Sequence, residues 1–170
     1  MAMIIAEGIK TLKYLDIDEI TGDLTLEQVK TLMADADEIK NVHEDTWSFE
    51  QTEATIDAFK NELTGGTYRQ NMTPGETSMN FTIGQYEFQT KADLMGGTAT
   101  ANSWKSGGDT GTVNKALFAI TNDNVYVVFP KATISARSAD TDGAIGLAVT
   151  ATAMEPDNKE VSAEYWFVED

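Results

Sequence analysis

Residues Asn124 to Met154 read NVYVVFPKATISARSADTDGAIGLAVTATAM. Val125, Val127 and Phe129 fall on alternate positions, as do Ala132, Ile134 and Ala136, and then Leu147, Val149, Ala151 and Ala153. A period of two places such side chains on one face of an extended strand, and β-branched and aromatic types suit a pleated, half-buried surface. Between the second and third runs lies Ser138-Ala-Asp-Thr-Asp-Gly143, whose short polar side chains bond their own backbone and whose glycine accepts positive φ. The stretch therefore predicts a long β-hairpin. Pro130 has no N–H to give to a ladder, which predicts an edge or a bulge there.

The alternation continues on both sides. Lys115 to Thr121 carries Ala116, Phe118 and Ile120 in phase, and Thr121 to Asn124 turns it into the hairpin. Val161 to Val168 ends the chain, with Val161, Ala163, Tyr165 and Phe167 against Ser162, Glu164, Trp166 and Val168. Both faces of its end are apolar around Tyr165, Trp166 and Phe167, which predicts cover on both sides, one cover being a neighbouring subunit. Upstream, Thr77 to Ile83 sends Met79, Phe81 and Ile83 one way and Ser78, Asn80 and Thr82 the other. From Gln85 to Met95 the spacing changes: Phe88, Ala92 and Met95 at i, i+4 and i+7 predict an amphipathic helix, ended by Gly96-Gly97. Residues 96–112 form a loop rich in Gly, Ser and Thr, whose lone Trp104 is expected to fold back over a core edge.

The first half is less regular. Ile9 to Leu15 is a short strand candidate, and Asp16-Ile-Asp18-Glu19 an acidic turn. Thr25 and Gln28 fit a capping box ahead of Leu26, Val29, Leu32 and Met33 at helical spacing, so a short N-terminal helix is expected within an N-terminal extension spanning 1–45. Ile39 to Val42 is a further strand candidate. Asp45 to Phe59 alternates weakly and reads as one strand that allows a bulge. Beyond it, residues 61–75 hold Gly65-Gly66 and Pro74-Gly75 and read as an extended arm loop rather than core. Loops of about 12–15 residues or more are uncommon in compact domains and tend to be functional.

Composition narrows the class. A chain of 170 residues suits one domain, able to bury about 70% of its unfolded surface. It has no cysteine, hence neither disulfides nor thiolate metal sites. Met1 to Ile5 is apolar but too short for a signal peptide, and no apolar run approaches the roughly 20 residues that span a bilayer. The reading is a soluble chain with no membrane partner. Twelve Lys and Arg against 28 Asp and Glu give a formal charge of −16. Such a surface repels nucleic acid, whose binding depends on cations displacing counterions.

Catalytic signatures are missing. His43 is the single histidine and stands beside Glu44 and Asp45, which is too few ligands for zinc and no basis for a triad. No phosphate loop is present, and Asp140-Thr-Asp142-Gly143 lacks the donor spacing and closing Glu of a calcium loop. The expectation is a non-enzyme without cofactor or metal. The fold expected is mostly β: an antiparallel β-sandwich or partly closed barrel with one flanking α-helix and a short N-terminal helix. Open sheets have edges that natural proteins usually blunt, yet edge prolines and lysines are few here. Edge pairing between neighbouring copies is the expectation drawn from that.

Phe129-Pro130-Lys131-Ala132, the alternating strand, the Asp142-Gly143 turn and Ile145-Gly146-Leu147 leading into Val149-Thr150-Ala151-Thr152-Ala153-Met154 resemble the C-terminal half of phage tail tube (major tail) proteins. The resemblance reaches back to about Thr77, through the strand, the short helix and Gly-Gly, and covers roughly half the chain. It implies a structural virion protein, made in the host cytoplasm and located in the tail. The resemblance further implies a hexameric ring, stacked helically beside other tail proteins, through which DNA passes without specific binding. It also implies an acidic lumen, for which Glu50, Glu53 and Asp57 are candidates, and an arm that contacts the next ring. Leu63, Gly65, Gly66, Tyr68, Arg69 and Pro74 would belong to that arm, and Tyr165, Trp166 and Phe167 to inter-subunit strand contacts. Two other readings compete: the inner tube of a contractile injection machine, and a monomeric β-sandwich module that binds a ligand such as a carbohydrate. The module would need aromatics exposed on one strand face, whereas Trp104, Tyr126 and Trp166 are dispersed.

Overall fold

The computed structural model describes residues 3–107 and 112–169. Met1 and Ala2 of the apolar start, and residues 108–111 of the Gly-rich loop, lie outside the described residues. The strands are β1 (Thr11–Leu15), β2 (Asp37–Glu38), β3 (Ser48–Gln51), β4 (Thr55–Lys60), β5 (Thr67–Thr73), β6 (Thr77–Ile83), β7 (Thr98–Thr100), β8 (Ser103–Lys105), β9 (Val113–Ile120), β10 (Val125–Thr141), β11 (Ala144–Ala153) and β12 (Tyr165–Val168). Two helices accompany them, α1 (Leu26–Asp35) and α2 (Phe88–Met95). The main sheet is antiparallel throughout, in the order β2-β1-β9-β10-β11-β6-β3, with β12 also paired to β10. The fold is mostly β and does not close into a barrel, as the sequence predicts for a sandwich.

β10 is the hinge of this architecture. Its register against β9 shifts between Phe129 and Ala132, so Pro130 sits in a bulge. Before the bulge β10 lies between β9 and β12; after it, β10 lies beside β11. The one sheet thus forms two layers that share β10: β2-β1-β9-β10-β12 and β10-β11-β6-β3. The β10–β11 turn is tighter than the sequence suggests. Thr141 pairs with Ala144, leaving only Asp142 and Gly143 as the loop, at φ 51° and 90°. Positive φ at both positions is the geometry whose twist matches the flanking strands, and Asp-Gly adopts it at low cost.

Between the layers lies the core: Leu12 and Tyr14 of β1, Phe129 and Ile134 of β10, Val149 of β11, Phe81 of β6 and Leu94 of α2, among others. The bulge keeps Val127 and Phe129 facing the same core as Ala132 and Ile134, which restores the phase that the extra residue would otherwise break. Outside the first layer, α1 lays Val29 and Met33 over Phe118, Val128 and Tyr126. Its capping box forms: the Gln28 N–H donates to Thr25 Oγ1 at 3.4 Å and the Thr25 N–H to Gln28 Oε1 at 2.8 Å.

Three local expectations are corrected. The weakly alternating run Asp45 to Phe59 is not one strand, because it breaks at residues 52–54 into β3 and β4, and β4 leaves the sheet. The Ile39–Val42 candidate is not a strand: β2 ends just before it at Glu38, and within it Val42 makes a single bridge to Ile83. Val161 is buried but precedes the last strand, which begins only at Tyr165. Trp104 folds back as expected, its indole N–H donating to the Gly96 carbonyl at 3.0 Å and its ring under the Lys91 ammonium at 4.1 Å.

Candidate assembly surfaces

The second layer has a solvent face unlike the rest of the molecule. Its register aligns Thr133, Thr152, Ser78 and Glu50 in one row across β10, β11, β6 and β3, and Ser135, Thr150, Asn80 and Ser48 in the next. Arg137, Ala148 and Thr82 form a third. Hydroxyls and amides tie neighbouring strands: Thr150 Oγ1 donates to Asn80 Oδ1 at 2.9 Å, and Thr133 Oγ1 to Asn114 Oδ1 at 3.2 Å. On a chain of charge −16, these rows carry one carboxylate and one guanidinium. Among the described residues no helix covers this face, in contrast to the α1-covered outside of the other layer.

The layer also ends in open backbone. In a two-residue hairpin the flanking residues Thr141 and Ala144 exchange backbone hydrogen bonds, so alternation turns the N–H and C=O of Ala136, Ser138 and Asp140 away from β11. β9 pairs with β10 only as far as Ile134, so among the described residues nothing takes up those groups. The same alternation carried through β6 turns the backbone of Phe49 and Gln51 outward from β3. Among the described residues the layer therefore has free rims on both sides, along β10 and along β3.

Of the lumen candidates, only Glu50 belongs to this face. Glu53 stands in the break between β3 and β4, and Asp57 lies on β4, opposite Asn71 and off the sheet. The expected acidic trio does not form one surface, because the strand thought to carry all three leaves the sheet after Gln51.

The arm is longer and more ordered than the expected loop at 61–75. β4 and β5 make an antiparallel ribbon, closed by residues 61–66. Asn61 builds that turn: its N–H donates to the Gly66 carbonyl at 2.7 Å, its carbonyl accepts from the Gly65 N–H at 2.7 Å, and its Oδ1 caps the Leu63 N–H at 2.9 Å. Gly65 takes φ 71°, a conformation costly for other residues. Leu63 protrudes from the tip, Pro74 marks the return to β6, and every residue of both strands is exposed. Register sorts the ribbon into two faces. Phe59 and Arg69 pair on one, with the guanidinium 5.7 Å from the ring centroid. On the other, Ile56 stands opposite Met72 and Ala58 opposite Gln70, and alternation along β5 adds Tyr68. Ile56 is 59% and Met72 68% exposed.

The last strand is covered from within the chain more than expected. Tyr165 and Phe167 stack at 5.8 Å and pack against the α1 cluster, so α1 covers this face of the strand. Trp166 points the other way, to Phe49, and remains partly exposed. Glu169 latches the strand end to α1, accepting from Lys30 Nζ at 2.6 Å and from the Tyr126 hydroxyl at 3.1 Å. Those two hydrogen bonds, Lys30 first, hold the Glu169 carboxyl below the usual carboxylate range. Burial and then its hydrogen bond to Asp93, at 2.8 Å, push the Tyr14 hydroxyl far above the usual tyrosine value, so it stays protonated. His43 Nε2 lies 3.0 Å from Asp142 Oδ2 at the β10–β11 turn.

Among the described residues no group of three His, Cys, Asp or Glu is placed to hold a metal ion, and no helix is long and apolar enough to cross a membrane. Compared with known proteins, the chain matches no protein-family model and no curated protein.

Proposed function

We propose that the chain is the subunit of a self-assembling tube, in which copies join edge to edge into rings and rings stack through the arm. The observation that carries this reading is the four-stranded layer β10-β11-β6-β3 with free backbone along both rims. Strand addition across such rims joins the β3 edge of one copy to the β10 edge of the next, a head-to-tail contact that closes when the rotation allows. The uncovered hydroxyl face then lines the hole. Strands lie about 4.8 Å apart, so six copies of four strands give a circumference of about 115 Å, and strand tilt enlarges it further. A channel of that size admits a DNA duplex.

The resemblance to phage tail tube proteins supports the same assignment, with the virion tail as location and DNA as cargo. A lining of Ser, Thr and Asn with Glu50 suits passage without capture, since it offers phosphates few cations. A carbohydrate module fits less well, because Tyr126 is buried and Trp104 and Trp166 pack against α2 and Phe49. Light scattering over a concentration series, with negative-stain imaging, tests the proposal. Rings or tubes with an open centre are expected; a chain that stays strictly monomeric at the highest concentrations would remove it.

A further inference from the structure

The arm and the opposite end of the second layer carry unmatched apolar surfaces at the two ends of the same strands. β6 runs from Thr77, beside the arm root, to Ile83, and β11 runs back from Ile145 to Ala153. Along β11 the buried series Ala151, Val149 and Leu147 continues in phase to Ile145, which is 73% exposed because the core has ended. Tyr86 adjoins it, its hydroxyl donating to the Ile145 carbonyl at 3.3 Å, and the partly exposed Phe88 opens α2 two residues later. Exposed apolar patches rimmed by polar residues mark contact sites, and an isolated two-stranded ribbon is marginal in water without something to pack on.

We infer that the Ile56–Met72 face of the arm seats on the Ile145–Tyr86–Phe88 end of a second copy. The occupant is another copy for two reasons. Seven residues of β11 separate Ile145 from Thr152, a span of about 23 Å, and the arm leaves from the Thr152 end, so an arm cannot reach its own subunit's patch. Charge is the second reason. The arm's two acids, Asp57 and Glu62, are balanced by Lys60 and Arg69, whereas Asp140, Asp142 and Glu87 surround the receiving end. An arm of zero net charge approaches that end without the repulsion that two surfaces of a −16 chain otherwise meet. The contact joins opposite ends of the subunit, so it propagates along an axis instead of closing on itself. This rests on the tube reading and names the receiving surface for its axial contact.

The absence of cysteine makes the test clean. A tagged Met72→Cys chain is mixed with an untagged Ile145→Cys chain and oxidised, and the mixed disulfide is quantified by mass. The expected yield exceeds that of a Met72→Cys and Asp157→Cys control by at least ~10-fold. In parallel, Ile145→Asp should keep the circular dichroism and melting of the parent while raising the concentration needed for tube growth ~10-fold or more, the equivalent of about 1.4 kcal/mol per contact. Tubes that form with a mixed-disulfide yield no better than the control overturn this docking and leave the tube reading standing. A full-length chain that neither cross-links nor assembles overturns both.

Discussion

The rings of Phe49 and Trp166 meet edge to face at 5.4 Å, joining two strands that share no backbone hydrogen bond. β3 belongs to one layer and β12 to the other, so this contact, with Phe129 at 5.9 Å from Phe49, holds the open side of the sandwich together. Aromatic pairs in this geometry contribute about 0.5–1.5 kcal/mol beyond the area they bury. A double-mutant cycle on Phe49→Leu and Trp166→Leu, read by urea unfolding of the monomer, should give a coupling in that range. Additive losses would mean that each ring packs independently.

Ser138 tests the free rim on β10. Its N–H points away from β11, and proline is tolerated at edge positions whose N–H faces solvent. Ser138→Pro should therefore change monomer stability by no more than about 1 kcal/mol, the worth of one hydrogen bond. Ring formation should be lost. Ala139→Pro, one residue on, removes a donor to β11 and should destabilise the monomer clearly more. Rings that survive Ser138→Pro would show that copies do not pair along this strand.

Gly75 fixes the root of the arm. A Cβ there would fall 1.8 Å from the Thr52 carbonyl oxygen, which is backbone and has little room to yield. Around it, the Thr52 N–H donates to the Glu76 carbonyl at 2.9 Å and the Glu76 N–H to Thr52 Oγ1 at 2.9 Å. Gly75→Ala must push these two segments apart, at a local cost of about 1–3 kcal/mol typical of overpacking. Hydrogen exchange should accelerate at Thr52 and Glu76 while the amides of β9 and β10 keep their protection. Unchanged exchange at the root would mean that the backbone accommodates the methyl.

Much of this fold is legible in the sequence where the signal is local. The β10–β11 hairpin follows from alternation and Asp142-Gly143, α1 from Thr25 and Gln28, and the bulge from Pro130. What stays hidden depends on contacts distant in sequence. Phe59 alternates in phase with Phe49 and looks like part of the same strand, and only the close approach of Gly75 to Thr52 shows where β4 turns off the sheet. The hydroxyl face is visible in part, since Ser78, Asn80 and Thr82 alternate with the core residues of β6. Its extent needs the register of three more strands. An acidic lining is what the resemblance implies, but a net charge of −16 does not say which face holds the acids.

Glu169 makes the latch between β12 and α1 dependent on pH. Its carboxyl is held below the ordinary value by hydrogen bonds from Lys30 and then Tyr126. A carboxylate depressed in the folded state favours folding above its unfolded value of about 4.3, and that contribution is lost as pH falls through the lower folded value. The wild type should therefore lose stability on acidification more steeply than Glu169→Gln, which keeps a hydrogen-bond acceptor but does not titrate. Glu155, lowered in the same direction by Lys159, is common to both chains and cancels in the difference. The measurement is urea unfolding of both proteins between pH 7 and about 3. As the latch is exposed, salt should shrink the gap between them. Parallel curves for wild type and Glu169→Gln would show that the end of β12 is held by Tyr165 and Phe167 alone.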